Sequence, residues 1–235
     1  MSATADGPYA ALVARHGLSE SHRLVLDEVP PGARVLDVGC ATGYLAAELT
    51  RKGCTVDGVE FDPVAAEQAR RPGRCREVVV GDLEAPQTRE AVEAMLGATP
   101  PGVVVCADVL EHLRDPWSTL AWLHALLPAS GRAVISVPNI AHWTARRALL
   151  RGRFDYADFG IFDRTHLRFF TRASAAELAR RAGFAVLRER PAGAPLPLES
   201  RVPALGRVRD RCVRRCPEAF ALQFVLVLSP GQPVG

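Results

Sequence analysis

The sequence predicts an α/β fold in which a doubly wound, mostly parallel sheet of seven strands carries helices on both faces. Three observations predict it. Short, valine-rich runs alternate with stretches of helical periodicity from residue 33 to residue 139. A glycine-rich segment, G-C-A-T-G, directly follows the first of these runs. At 235 residues, the chain has the length of one well-buried domain.

The strands are predicted from the apolar runs, and the helices from the amphipathic stretches between them. Strands are expected at 33–39, 54–60, 75–82, 102–109, 131–139, 185–190 and 221–229. Helices are expected at 43–53, 63–71, 89–96, 117–127 and 174–184. Strands joined by such helices run parallel with right-handed crossovers, and they bind ligands beyond their carboxyl ends.

Three segments fall outside this alternation, within a single predicted domain of residues 1–235. Residues 1–30 are expected to form an N-terminal helical cap over the ligand crevice. Residues 140–172 and 191–220 are interpreted as insertions that cover the active-site side, because long connections at such places are usually functional.

Composition and charge narrow the class of protein. The chain is 48% hydrophobic and 23% charged, as soluble globular proteins are. A net charge of +3 argues against a nucleic-acid-binding protein, for which a strongly basic surface is expected. No secretory leader and no apolar run long enough to span a bilayer is evident, so we expect a cytoplasmic protein without a membrane partner. Both a monomer and a homodimer are compatible with the sequence.

Acidic residues follow three successive predicted strands. Asp37 precedes Gly39 at the end of the first strand, where it would repel a pyrophosphate and attract an ammonium or sulfonium group. Glu60 ends the second strand, where an acid accepts the hydroxyls of a ribose. Asp82 follows the third strand and suits an adenine amino group, with Leu83 covering the ring. A cationic, phosphate-free nucleoside fits these positions, namely S-adenosylmethionine.

At these positions the chain resembles the class I S-adenosylmethionine-dependent methyltransferases. The matching segments are DVGCATG (37–43), VE (59–60), GD (81–82) and ADVLEHLRDP (107–116), within a region of about residues 30–190. The resemblance implies a Rossmann-like sheet whose last strand is antiparallel, with S-adenosylhomocysteine as product. It adds Cys40, Gly43, Tyr44, Phe61 and Ala107 to the cofactor-binding residues. Ala41 stands where the family usually has glycine.

Histidines near the fourth strand and in the first insertion are the candidate catalytic groups. His112 could take the proton of a hydroxyl acceptor, or could merely cap a helix beside the cofactor. His166, flanked by Arg164 and Arg168, is the second candidate.

Substrate contacts are expected in the insertion at 140–172. The candidate substrate-binding residues are Asn139, His142, Tyr156 and Arg164. The aromatic residues of this segment could wall the pocket, or could form the core of the insertion itself. Its arginines could hold an anionic acceptor, or could pair with Asp155, Asp158 and Asp163.

A further resemblance concerns a metal. Asp108, Glu111 and His112 form a D-x-x-E-H motif that, with His166, is similar to the E-x-x-E-H and distant histidine of small-RNA 2′-O-methyltransferases. Ubiquinone-biosynthesis O-methyltransferases carry a similar motif. The resemblance implies a divalent ion held by these four residues, which we take as the less favoured alternative to a metal-free site.

The sequence therefore favours a methyltransferase acting on an oxygen, less readily a nitrogen, of a small molecule. The PNIAH and DRTHLRFFT segments resemble a broad subgroup that includes enzymes of sugar and natural-product pathways. An RNA 2′-O-methyltransferase-like enzyme and a non-catalytic, cofactor-binding regulatory partner are the alternatives.

Overall fold

The computed structural model describes residues 17–196, 199 and 202–231. The N-terminal half of the predicted cap, residues 1–16, lies outside the described residues, as do 197–198 and 200–201 of the second predicted insertion.

Strands and helices alternate along the chain as the sequence predicts. The strands are β1 (Arg34–Val38), β2 (Thr55–Glu60), β3 (Glu77–Val80), β4 (Val103–Ala107), β5 (Arg132–Pro138), β6 (Phe184–Ala192) and β7 (Gln223–Pro230). The helices are α1 (Glu20–Glu28), α2 (Tyr44–Arg51), α3 (Pro63–Ala69), α4 (Pro86–Leu96), α5 (Pro116–Leu126), α6 (Trp143–Leu150), α7 (Arg172–Arg181), α8 (Pro203–Arg215) and α9 (Pro217–Phe220). A short 3₁₀ turn, Leu110–His112, follows β4.

The seven strands form one sheet in the order β3-β2-β1-β4-β5-β7-β6. All neighbours pair in parallel except β7, which is antiparallel to both β5 and β6. The predicted fold class is confirmed, including the antiparallel last strand. The carboxyl ends of β1, β2 and β4 therefore meet at one edge of the sheet, where the order reverses between β1 and β4.

Side chains of each central strand alternate between two cores, one on each face of the sheet. On one face Leu36, Val104 and Ile135 pack with the residues of α4, α5 and α7. On the other face Val35 and Val105 pack with α1, α2 and α3. Because β1 and β4 are buried on both faces, their sequences read as continuous apolar runs and not as alternating patterns.

The first predicted insertion consists of α6 and an irregular, largely exposed segment. Ala145 is the one buried residue of α6, and every residue from 149 to 160 is exposed. The segment returns to the body of the protein at Phe170, which pairs with Asn139 beyond the end of β5.

Asn139 has a structural role that differs from the predicted substrate contact. Its side chain is completely buried, and its amide nitrogen donates to the carbonyl oxygens of Glu218 (3.0 Å) and Ala221 (2.8 Å). Its side-chain oxygen accepts from the N–H of Ala141 at 3.0 Å. The prediction that Asn139 binds substrate is corrected, because these backbone groups occupy its side-chain hydrogen-bonding positions.

Within the described ranges, none of the helices combines the length and the apolar composition needed to cross a bilayer.

We expect Asn139→Ala to lower the free energy of unfolding by about 2–3 kcal/mol, because it strands buried backbone groups that water cannot reach. Chemical denaturation of wild type and variant measures the difference. Gln87→Ala, at an exposed position of α4, is the matched control and should change stability by less than about 0.5 kcal/mol. Equal stability of Asn139→Ala and wild type would show that the amide contacts are not structural.

Candidate active site

The loop between β1 and α2 brings the backbone close to the switch point of the sheet. Gly39 has a φ of 69°, and a β-carbon there would lie 2.5 Å from the Cγ2 of Val109. Its N–H donates to the carbonyl oxygen of Val59 at 2.8 Å, which ties the loop to β2. Only glycine fits this position, since any side chain would collide with the turn that follows β4.

Ala41 adopts the left-handed backbone conformation that usually requires glycine. Its φ is 47°, and its N–H donates to Oε2 of Glu60 at 2.8 Å. The second carboxylate oxygen of Glu60 accepts from the N–H of Asp62 at 2.9 Å. The strained loop thus orients the Glu60 carboxylate at the end of β2.

A cavity of about 390 Å³ lies at this edge of the sheet. Its lining comprises Gly39, Val59, Glu60, Phe61, Asp82, Leu83, Glu84, Asp108, Val109, His112, Leu113 and Arg114. Five of the predicted cofactor-binding residues are in this set. The other five, Asp37, Cys40, Gly43, Tyr44 and Ala107, lie outside the lining. Cys40 is buried against Gly58, and Gly43 begins α2.

Asp37 lies just beneath the loop and is 2% exposed. Its Oδ2 atom has no hydrogen-bond partner among the described residues. Burial, with a smaller contribution from the negative charge of Glu60, raises the pKa of Asp37 to about 7. A cationic ligand group near this oxygen would favour the ionised carboxylate.

The far wall of the cavity contains an ion-paired cluster. Arg114 pairs with Asp82 at 3.3 Å and with Glu84 at 3.2 Å, and Asp82 also accepts from the N–H of Glu84 at 2.9 Å. Phe61 is 72% exposed and lines the same cavity. Arg114 and Glu84 were not predicted, because Arg114 is 32 positions from Asp82 in the sequence and meets it only through the fold.

Glu111, His112 and His166 form a second cluster next to the cavity. Each offers a ligand atom, and these atoms lie within 4.8 Å of one another. Glu111 and His112 come from the 3₁₀ turn after β4, whereas His166 comes from the first insertion. The N–H groups of Leu167 and Arg168 donate to the carbonyl oxygen of Glu111, which fastens the insertion to the turn.

Hydrogen bonds at Nδ1 orient both histidine rings, and a neutral imidazole held in this way has its lone pair at Nε2. Nδ1 of His166 contacts the carbonyl oxygen of Ile161 at 3.2 Å, and Nδ1 of His112 contacts the carbonyl oxygen of Thr165 at 3.2 Å. The hydroxyl of Thr165 donates to Asp163 at 2.7 Å, so it can also accept from His112. Both imidazoles therefore present a lone pair at Nε2.

Buried polar atoms of this cluster lack partners. Oε2 of Glu111 and Nε2 of His166 are buried, and neither has a hydrogen-bond partner among the described residues. Burial, followed by the charge of Asp108, raises the pKa of Glu111 well above its usual range. Burial, followed by the neighbouring His112, lowers the pKa of His166. The carboxyl group of Glu111 thus tends to keep its proton and can donate to a hydroxyl, whereas neutral His166 can accept from one, and a bound cation would favour the ionised form of Glu111.

Asp108 lies after β4 at the edge of the cavity, but its contacts differ from those of a metal ligand. Its φ is 56°, and its carboxylate accepts from the hydroxyl of Ser136 at 2.8 Å and from the side-chain amide of Gln223 at 2.9 Å. Burial is opposed by His22, whose ring nitrogen lies 3.7 Å away, and the pKa of Asp108 is lowered. The predicted four-residue metal set is corrected, because these contacts leave Asp108 outside the group of Glu111, His112 and His166.

Asp108 nevertheless connects the two regions. It lines the larger cavity and also a small cavity of about 40 Å³. The small cavity is enclosed by Asp108, Glu111, Pro138, Gly160, Ile161, His166, Leu222 and Gln223. A ligand that extends from the large cavity past Asp108 would therefore contact Glu111 and His166.

The other predicted substrate residues lie away from both cavities. His142 caps α6 through Thr144, and burial lowers its pKa. Tyr156 is 63% exposed, and Arg164 pairs with Asp158 at 2.5 Å. Of the two alternatives given for the arginines of this insertion, anion binding and ion pairing, Arg164 fits ion pairing.

His22 was overlooked in the sequence analysis. It belongs to the capping box of α1, where its Nδ1 accepts from the N–H of Ser19 at 3.4 Å. Its Nε2 lies 3.3 Å from the hydroxyl of Tyr44 and faces Asp108. The sequence indicated only an amphipathic helix here, and the contact depends on how α1 packs on the sheet.

A family model described as "Methyltransferase domain" matches residues 10–189, which is more than half of the chain. A mitochondrial ubiquinone biosynthesis O-methyltransferase of Schizosaccharomyces pombe is 34% identical over 105 residues, 45% of this chain and 38% of that protein. A ubiquinone biosynthesis O-methyltransferase of Xanthomonas oryzae is 30% identical over 171 residues, 66% of this chain and 67% of that protein. The chain thus spans only about two fifths of the length of the first of these relatives.

Solved structures share the fold at low sequence identity. A TehB-like SAM-dependent methyltransferase of Corynebacterium glutamicum superposes with a TM-score of 0.59 at 21% identity, covering 94% of both chains. Magnesium protoporphyrin IX methyltransferase of Synechocystis, which was solved with bound SAH, gives a TM-score of 0.57 at 17% identity and covers 90% of this chain and 80% of its own.

The raised pKa of Asp37 makes stability depend on pH. In the folded protein Asp37 keeps its proton up to about pH 7, whereas in the unfolded chain it ionises near its ordinary value of 3.8. The folded state therefore binds more protons between these values, and stability falls as pH rises through this window. Between pH 5 and pH 8, we expect the free energy of unfolding of wild type to fall by about 2.5 kcal/mol more than that of Asp37→Asn. Urea unfolding of the ligand-free proteins at both pH values measures this.

Glu90→Gln, at an exposed carboxylate of α4, is the control and should lose as much as wild type. If wild type and Asp37→Asn lose the same free energy, the carboxylate is not protonated in the folded protein at pH 5.

Proposed function

The chain belongs to the methyltransferase-domain family and is an S-adenosylmethionine-dependent methyltransferase, and from this premise we propose that it methylates an oxygen of a small-molecule acceptor. The relatives named as ubiquinone biosynthesis O-methyltransferases support oxygen as the acceptor atom. Since they match at about 30% identity, they support the type of reaction and not a particular acceptor.

The cofactor has a natural orientation in the large cavity. Glu60, held by two backbone N–H groups, receives the ribose hydroxyls. Asp82 and Leu83 receive the adenine, with Phe61 against its face. The amino-acid end lies over Gly39, where the unpartnered oxygen of Asp37 attracts the ammonium group. In this proposal the loop is supported by four residues that lie behind the cavity wall, Cys40, Gly43, Tyr44 and Ala107.

The observation that carries the proposal is the shared wall at Asp108. Because Asp108 lines both cavities, a cofactor held in the large cavity would have the buried Glu111 and His166 on the other side of Asp108. These two polar side chains have unpartnered atoms, so an acceptor hydroxyl finds hydrogen-bond partners there.

The reaction needs few groups beyond these. A lone pair of the acceptor oxygen attacks the methyl carbon in line with its bond to sulfur, and the electron pair of that bond returns to sulfur, leaving a neutral thioether. The acceptor proton passes to Nε2 of His112 or His166, whose Nδ1 atoms are held by carbonyl oxygens. Positioning contributes roughly 7–11 kcal/mol to such reactions, and a base adds roughly 10²–10⁴-fold.

A divalent cation is the second candidate for this site. One carboxylate oxygen and two imidazole nitrogens within 4.8 Å of one another fit a transition-metal ion, and each imidazole has the carbonyl partner typical of metal-bound histidines. When bound, such an ion supplies a Lewis acid that lowers the pKa of the acceptor hydroxyl. Glu111, His112 and His166 would hold it, and the chain would still position the acceptor and exclude water.

We expect His166→Gln to slow methyl transfer to a hydroxyl probe by about 10²–10⁴-fold while leaving cofactor affinity within about twofold. The assay uses methyl-labelled S-adenosylmethionine with catechol, phenol and aniline as probes, and calorimetry measures S-adenosylhomocysteine binding. Tyr156→Phe, which lies outside both cavities, is the control and should retain the wild-type rate.

The same experiment separates the alternatives. Transfer to aniline alone would contradict oxygen as the acceptor atom. Cofactor binding without transfer to any probe, but with transfer to an RNA oligonucleotide, would favour the RNA-methylating alternative. Binding without any transfer would favour the regulatory one.

The metal candidate makes a separate prediction. We expect Mn²⁺ or Zn²⁺ to bind the wild-type protein, and His166→Gln to weaken that binding at least tenfold. Asp108→Asn should change it by less than about threefold, because Asp108 lies outside the three-residue group. Calorimetry with the metal alone measures both. Unchanged methyl transfer in the presence of a chelator, together with no measurable ion binding, would leave the histidines as the base.

A further inference from the structure

We propose that the surface formed by α6 and the segment after it docks on an anionic lipid bilayer. We call this surface the α6 patch. It consists of Trp143, Arg147, Leu149, Leu150, Arg151, Phe154 and Tyr156.

Apolar side chains of the patch are exposed to an unusual degree. Leu150 is 89% exposed and Leu149 is 48% exposed, and both belong to the last turn of α6, a helix that buries a single residue against the protein. The rings of Tyr156, Phe162 and Phe169 contact Phe154 edge-on, with centroids 4.7–5.6 Å apart, so the aromatic side chains form one platform. A contiguous exposed apolar surface of this kind marks an interaction site.

The segment that carries the patch is also positively charged, and Arg147, Arg151 and Arg153 of this segment lie together. Residues 143–169 contain six arginines and three aspartates, a formal +3 that equals the net charge of the whole chain. Arg147 and Arg151 form neither an ion pair nor a side-chain hydrogen bond with any described residue. With Arg153, they line a cavity of about 430 Å³ between α6 and the following segment. Guanidinium groups bind phosphate through paired hydrogen bonds, which suits a phospholipid headgroup.

The combination of exposed apolar side chains and arginines indicates which kind of partner binds the α6 patch. A second copy of this chain meeting the patch face to face would place arginines against arginines. A nucleic acid would satisfy the arginines but would leave Leu149 and Leu150 in water. An anionic bilayer satisfies both, because arginine binds its headgroups while leucine and tryptophan enter the interface.

The patch adjoins the site of methyl transfer, and this step rests on the proposed function. Phe169 contacts Phe154 of the patch at 5.6 Å and His166 of the acceptor cluster at 6.4 Å between ring centroids. One insertion therefore supplies both the bilayer contact and an acceptor-side histidine. An acceptor with an apolar portion would reach His166 from the bilayer side.

Vesicle co-sedimentation of the full chain tests the proposal. We expect binding at low salt to vesicles of phosphatidylcholine with phosphatidylglycerol, at least tenfold above binding to phosphatidylcholine alone. Binding to these anionic vesicles should fall about tenfold or more in each of two double variants, Leu149→Asp/Leu150→Asp and Arg147→Glu/Arg151→Glu. Val208→Asp/Arg211→Glu, at exposed positions of α8, carries the same types of change elsewhere and should bind as wild type does.

Each variant is first shown to bind S-adenosylhomocysteine as wild type does, which excludes misfolding. Failure of wild type to bind anionic vesicles, or equal binding by the patch variants, overturns the proposal. It is also overturned if the patch variants instead abolish self-association or binding to an RNA oligonucleotide. Methyl transfer to catechol in lipid-free solution is measured separately, so the proposed function can fail or succeed independently.

Discussion

Burial of carboxylates at one edge of the sheet is the constraint on which the site depends. Asp37 and Glu111 each keep a buried oxygen without a partner among the described residues. Removing an ionised carboxylate from water without a partner costs several kcal/mol, so both groups keep their protons to a higher pH than free carboxyl groups do. The parallel pairing of β1 with β2 and β4 encloses Asp37 from both sides. A cationic ligand would recover part of the cost of ionising Asp37, which agrees with the proposed binding of a positively charged nucleoside.

The backbone near these carboxylates is also strained, on the loops that follow β1 and β4. Ala41 and Asp108 are the two described residues other than glycine with positive φ, and they lie on the loops after β1 and β4. A left-handed conformation costs an L-residue roughly 1–2 kcal/mol, so such positions persist only where the surroundings impose them. At Ala41 the strain aims an N–H at Glu60. At Asp108 it turns the chain so that the carboxylate meets Ser136 and Gln223, while Val109 packs over Gly39. The two loops therefore fix one another.

Local patterns in the sequence were sufficient to predict the fold, and five of the ten residues predicted to bind the cofactor line the cavity at the edge of the sheet. Valine-rich strands buried on both faces and a glycine pair after β1 are local signals, and Glu60 and Asp82 follow from strand ends alone. Asn139 and Asp108 could not be assigned in this way. The carbonyl oxygens that bind Asn139 belong to residues 79 and 82 positions later, and Gln223, which binds Asp108, lies 115 positions away. His22 approaches Asp108 from a helix before β1. Such contacts depend on how distant elements pack, and no spacing rule encodes them.

In the proposed arrangement, the acceptor side is assembled differently from the cofactor side, and this has a chemical consequence. Glu60 and Asp82 are fixed within single loops, whereas His166 reaches the site only because two N–H groups of its insertion bind the carbonyl oxygen of Glu111. Changes within the insertion can therefore alter the acceptor without disturbing the cofactor cavity. Methyl transfer also removes the positive charge on sulfur, while the surrounding carboxylates remain. Their attraction is thus stronger for the reactant than for the product, and the weaker hold on the neutral thioether favours its release before the next cofactor binds.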